Sequence, residues 1–233
     1  VPLLAGPAGR QQDEQRESTS MSHPGDTSAP QLDGTVAAAF PLALLEAVRS
    51  HDRPGEILED EDLSISLPRR LGLTGIVDTQ IRRYADAGRA GRQVPLAEVL
   101  GLFRLVMRRP DAEAILLETG QRVARWRGSR TPDLWRAILH RAPATLALRS
   151  ARCSVTRSLR ALHAGSAISA ARPFTVTVTD CVTAQLDEGG PACALFTGMM
   201  EEQLLLVTGR PQRVVHSRCG SSGAPVCEWT MAA

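Results

Sequence analysis

Four side chains with donor atoms suited to a borderline metal ion crowd the last 41 residues of this 233-residue chain: Cys193, His216, Cys219 and Cys227. Two residues separate His216 from Cys219, the short bite with which one turn of chain grips one ion. Seven residues, Gly220, Gly223 and Pro225 among them, separate Cys219 from Cys227. That is enough for a hairpin that returns the second thiolate to the first. Cys193 opens an apolar helix, where the macrodipole favours the thiolate form. Three thiolates and one imidazole satisfy a closed tetrahedral structural zinc site. Spacing alone leaves a second reading open: ordinary buried cysteines beside a surface histidine.

The elements that must position these donors follow from the local pattern. FTVTVTDCV, from Phe174, alternates Thr with Phe or Val, the period of two that marks a half-buried strand. A Gly-Gly-Pro turn at 189–191 leads into the helix ACALFTGMMEEQLLLVTG. RVVHSRC then reads as a strand, GSSGAP as a turn and VCEWTM as a closing strand. Residues 36–163 read as helices. Apolar faces are expected at Leu42, Leu45 and Val48, at Ile76, Ile81 and Tyr84, and at Leu96, Val99, Leu100, Phe103 and Met107. A short helix is expected near Leu67–Leu73. PDAEAILLETGQRVARWR carries acids in its first turn and Arg in its last. TPDLWRAILHR follows, and the helix TLALRSARCSVTRSLRALHAG, with Leu148, Val155, Leu159 and Leu162 at helical spacing, ends at Gly165. The expected fold class is α+β: an N-terminal helical region, then an antiparallel sheet packed with helices and a zinc-stapled C-terminal hairpin. The expected boundaries are a disordered tail over 1–34, a helical region over 35–164 and the α+β region over 165–233, with 35–233 as one globular unit.

Composition removes several function classes. All 27 basic residues are Arg, so a Walker A loop and a Schiff-base lysine are both excluded. Asn is missing too, which leaves no N-glycosylation acceptor; a GC-rich genome is the plainer cause of both absences. A net charge of +2 argues against nucleic-acid binding by bulk electrostatics. No apolar run approaches the ~20 residues of a membrane span. Five cysteines, an odd number, suggest thiols or metal ligands rather than a disulfide framework. Met21 reads as a natural start, and VPLLAGPAGR lacks the parts of a signal peptide, so a cytoplasmic location is expected.

The ending VVHSRCGSSGAPVCEW resembles the signature of the 4-vinyl reductase domain family, and PACALFTGMMEEQL and FTVTVTDC match that family's order. The specific likeness covers residues 165–233. A weaker one extends over 36–163 through LPRRLGLTGIVDTQIRRY and AILLETGQRVARW, where the chain looks like the family's bacteriochlorophyll-pathway member. The resemblance implies zinc held by Cys193, Cys219 and Cys227. His216 stands where a Glu is usual, and imidazole serves zinc equally well.

The family's name implies reduction of a vinyl group on a chlorophyllide, which needs an electron or hydride source. No GxGxxG follows a strand, and once zinc takes its ligands only Cys153 and Cys181 remain, too few for an iron–sulfur cluster and read as packing residues. A closed zinc site also lacks the open position of a catalytic metal. A tetrapyrrole-binding accessory protein of bacteriochlorophyll synthesis, presenting an intermediate to pathway enzymes, fits the residues better. A reductase with an external donor and a small-ligand sensor or interaction module are the alternatives. Between Gly101 and Arg172 there are 14 Arg and four acids, which suits a ligand with carboxylates, an acidic partner or simply solvent. His140 or His163 is a candidate axial ligand for the magnesium of a Mg-tetrapyrrole. Expected pocket walls are Phe174–Val178, with Phe174 and Val176 facing the ligand, and the helices containing Leu116–Val123 and Leu146–Leu162. Gly120, mid-helix, marks close approach of a ligand or of a neighbouring helix. A homodimer is expected by analogy with helix-paired tethering subunits.

Overall fold

A helix that is apolar on nearly every side has to sit at the centre of its fold, and residues 194–208 are such a stretch. The computed structural model describes residues 34–52, 75–129, 131–162, 168–172, 174–185 and 191–232. The expected tail up to residue 33, the short helix near Leu67–Leu73, His163, Gly165 and the glycines at 189 and 190 lie outside them.

In chain order the elements are β1 (Thr35–Ala37), α1 (Ala39–His51), α2 (Gly75–Arg89), β2 (Gln93–Pro95), α3 (Leu96–Met107), α4 (Ala112–Gly128), α5 (Asp133–Arg141) and α6 (Ala144–Leu162). Then come β3 (Ile168–Ala171), β4 (Thr175–Val178), α7 (Val182–Gln185), a 3-10 turn at Pro191–Cys193, α8 (Ala194–Thr208), β5 (Val214–Arg218), a second 3-10 turn at Gly220–Ser222, and β6 (Cys227–Met231). The architecture is mixed α+β with antiparallel sheets, as the patterning predicts. β1 and β2 pair as a small ribbon; β3, β4, β6 and β5 form a four-stranded antiparallel sheet in that order. All described residues belong to one compact unit. Among them no helix is long and apolar enough to cross a membrane.

α8 buries Leu195, Phe196, Met199, Met200 and Leu204, and even its polar Glu202 and Gln203. Both have partners: Arg125 Nε of α4 donates to Glu202 Oε1 at 3.0 Å, and Gln203 Nε2 donates to Ser158 Oγ of α6 at 2.5 Å, while Gln203 Oε1 is buried with no partner among the described residues. α4 lies directly on α8 because each offers a glycine to the other. A Cβ added at Gly120 would lie 2.0 Å from the Leu195 carbonyl oxygen, and one at Gly198 would lie 2.1 Å from the Leu117 carbonyl oxygen. Gly209, at φ 69°, ends α8 in the left-handed conformation, its N–H returning to the Leu205 carbonyl.

Some faces differ from expectation. On α1 the buried set is Ala39, Phe40, Pro41, Ala43, Leu44, Leu45 and Ala47, with Leu42 and Val48 only partly covered. Small alanines occupy the contact, so the face turns toward them and away from the larger Leu42 and Val48. On α6, Ala151 and Ser158 join Val155 and Leu159 in the interior for the same reason. β1, β2 and β3 were not anticipated, because three- and four-residue segments such as ISAA carry no measurable alternation.

Gly120→Ala should therefore force α4 and α8 apart and cost about 3 kcal/mol, the upper range for overpacking. Gly101→Ala on α3 meets nothing within 4 Å and should stabilise by up to about 1 kcal/mol through helix propensity. Urea unfolding of both variants checks the pair; equal effects would contradict the packing assigned to Gly120.

Candidate metal centre

β6 and the start of α8 meet at one end of the four-stranded sheet, and the loop after β5 closes over them. The register sets Val178 opposite Cys227, which puts that thiol in the interior. Cys193 is the last residue before α8, also buried. Cys219 follows β5 and is followed by the 3-10 turn at Gly220–Ser222, whose Gly223, at φ 87°, sends the chain back toward β6.

The structure brings all four expected donors together. The ligand atoms of Cys193, His216, Cys219 and Cys227 all lie within 4.8 Å of one another, and the Cys193 and Cys219 sulfurs are 3.9 Å apart. Tetrahedral bonding at about 2.0–2.3 Å sets donors roughly 3.3–3.8 Å apart, so small rotations complete such a shell. His216 Nε2 is buried and has no hydrogen-bond partner among the described residues. A buried polar nitrogen left in that state is costly, and the His216 ring has a nitrogen within 4.8 Å of the three sulfurs. This Cys3His group could hold a metal ion.

Surrounding groups orient the donors, as outer-shell partners of metal ligands do. The Gly220 N–H donates to Cys227 Sγ at 3.3 Å. Cys219 Sγ shares a hydrogen bond with the Ser221 hydroxyl at 2.9 Å, and Cys193 Sγ shares one with Thr183 at 3.3 Å. The His216 ring stacks on buried Trp229 with centroids 4.6 Å apart, while Phe196 meets the same indole edge-on. The Trp229 Nε1–H donates to Thr197 Oγ1 at 3.1 Å, which ties the stacking platform to α8.

Ionisation across the cluster is uneven. Contact with Cys181, then with Cys227, then burial push the Cys193 thiol far up. Its place at the start of α8 was expected to favour the thiolate, but a dipole effect of about 0.3–1 kcal/mol is outweighed. Cys227 is pushed up to about 12, first by Cys181. Burial works against ionisation of Cys219, yet hydrogen bonds from the Ser221 hydroxyl and amide prevail and bring it below its ordinary value. Burial lowers His216, against the raising effects of Cys181 and the Arg218 backbone, so its neutral, metal-binding form is favoured. A cation seated among these groups would turn the buried thiols to thiolates.

Other expected site residues fall elsewhere. Phe174 and Val176 are buried in the core, and Gly120 is closed off by the backbone of α8. α8 packs against both α4 and α6, the helices expected to wall a pocket. Leu146 is exposed. His140 Nε2 is 3.0 Å from the Leu206 carbonyl oxygen, engaged in closing the end of α8. Cys153 is exposed and so is not a packing residue, whereas Cys181 is buried, 3.0 Å from Thr183 Oγ1 and in contact with the cluster. Cys181 was missed as a neighbour of the site; its position shortly after β4, which pairs with β6, is the signal that points to it.

Comparison of the chain with family models, curated proteins and solved structures gave no match.

The thiols should react in a defined order. In metal-free protein, exposed Cys153 and ionisable Cys219 should be alkylated by iodoacetamide well before Cys181, Cys193 and Cys227, as read by peptide mass spectrometry. Cys219 alkylation should reach half its maximal rate below pH ~8.5, the value of a free thiol. Reloading with metal should protect Cys219 and leave Cys153 reactive; labelling of Cys193 ahead of Cys219 would contradict this assignment.

Proposed function

We propose that the ion held by Cys193, His216, Cys219 and Cys227 is structural zinc, and that the chain is a tetrapyrrole-binding accessory protein of the 4-vinyl reductase type. The zinc reading is carried by one observation: three sulfurs and a ring nitrogen of buried His216 converge within 4.8 Å. A donor set rich in thiolate, with four protein ligands, suits zinc in a closed shell. Zinc here would tie the start of α8 to the β5–β6 hairpin, so that metal affinity becomes folding free energy.

Tetrapyrrole binding is supported by the resemblance of VVHSRCGSSGAPVCEW and by the surplus of arginine over acid from Gly101 to Arg172. The ligand would be a chlorophyllide-type or Mg-porphyrin intermediate handed to pathway enzymes. Leu134, Trp135 and Ile138 on α5 are exposed and would supply apolar area for such a partner or for a second copy of the chain.

Elemental analysis of tag-free protein should find about one zinc per chain, and strong chelation should unfold the C-terminal region. His216→Ala should weaken zinc binding less than Cys219→Ala or Cys227→Ala, because water replaces a neutral imidazole more readily than a charge-balancing thiolate. Equal loss in all three would contradict that ranking. Adding divinyl chlorophyllide without reductant should shift its Soret band. Turnover with a nicotinamide donor would favour the reductase instead, and a silent spectrum would remove the tetrapyrrole reading.

A further inference from the structure

Several arginines outside α6 are answered by acids. Arg83 pairs with Glu98, Arg109 with Asp52 and Asp111, Arg122 with Glu46 and Glu118, and Arg125 with Glu202. α6 carries Arg149, Arg152, Arg157 and Arg160 and no acidic residue. Arg149, Arg157 and Arg160 have no ion-pair or hydrogen-bond partner among the described residues, while Arg152 reaches the Ala171 carbonyl oxygen at 3.4 Å.

At helical spacing these four side chains share one side of α6 over about 16 Å. They line a groove of about 550 Å³ between α6 and β3, whose other walls are Cys153, Thr156, Ile168 and Ala170. That volume lies within the range of small-molecule sites. Like charges at i and i+3, as in Arg157–Arg160, repel one another, and no acid is among the described residues that line the groove.

We infer that this groove binds a small amphiphilic ligand with at least two carboxylates, seated with its apolar body against Ile168, Ala170 and Cys153 and its carboxylates on the α6 arginines. Guanidinium forks match carboxylates bidentately, and two arginine pairs one helical turn or more apart suit a ligand with two separated acid groups. The mixed apolar and polar floor favours such a body over a bare inorganic anion. The choice of ligand rests on the functional reading above, and a tetrapyrrole with two propionates meets the description; the groove rests on the geometry alone.

Protoporphyrin IX, a dicarboxylic acid, and its dimethyl ester are the probes, titrated by absorbance into the zinc-loaded full chain. The free acid should bind, the ester at least tenfold more weakly. Arg149→Gln combined with Arg160→Gln should weaken the acid at least tenfold, with zinc content and far-UV circular dichroism unchanged, while Arg89→Gln on α2 has no effect. Binding of the acid should also weaken as salt is raised. Equal binding of acid and ester, or full binding by the double variant, overturns the groove and leaves the tetrapyrrole reading standing. Binding of neither probe by the wild-type chain overturns both.

Discussion

Contact between α4 and α8 at backbone distance is the constraint on which the remaining structure is built. Two helices approach this closely only where side chains are missing from the seam, and here each helix supplies one gap, Gly120 facing Leu195 and Met199, Gly198 facing Leu117. The seam fixes where α8 starts. Because Cys193 immediately precedes α8, the same seam fixes one corner of the metal site. α1 and α6 pack around the pair, and the four-stranded sheet closes the far side through Trp229 and Val176, with Phe196 of α8 against the indole. Packing, rather than helix propensity, holds α8 in place, since its glycine is poor in helix propensity and rich only in what it lets approach.

The metal site is built on that scaffold from two kinds of support. Cys193 is placed by a helix that cannot move without opening the core. His216 and Cys227 are placed by strand register, opposite Trp229 and Val178, and Cys219 follows directly on β5. Stacking on Trp229 fixes the plane of the His216 ring, and the indole is itself bonded to Thr197 of α8. Ring orientation and helix position are therefore linked. Cys181 lies against this arrangement without belonging to the four-donor set; its contact raises the thiols around it and so sharpens the dependence of their ionisation on a cation.

Elements with strong periodicity were legible from the residues alone. The Thr/Val alternation of 175–178 is a strand, the long apolar stretch after Cys193 is a helix, and the spacing of His216, Cys219 and Cys227 brings the three onto one hairpin. Short strands were not legible, because Ile168–Ala171 and the β1–β2 ribbon owe their conformation to partners distant in sequence. Alanine-lined contacts on α1 and α6 escaped for a related reason: small residues mark closeness of packing, which a count of large apolar side chains does not register. Gly120 carried an ambiguous signal, since a ligand and a neighbouring helix both require the missing Cβ, and only the carbonyl of Leu195 decides between them. The arginines of α6 were countable in the sequence, but whether acids answer them depends on which helices face which.

The distribution of donors along the chain also bears on the order of assembly. His216, Cys219 and Cys227 lie within one hairpin, and a loop of about ten residues closes in roughly 10–100 ns. Cys193 lies more than twenty residues upstream of His216 and reaches the cluster only once α8 is docked on α4. A metal ion can thus be gripped first by three local donors as a partial shell, its fourth coordination position closing at the same step that seals the helix seam. The fourth bond reports on completion of the core, so a chain with a faulty seam would hold its ion loosely and exchange it quickly.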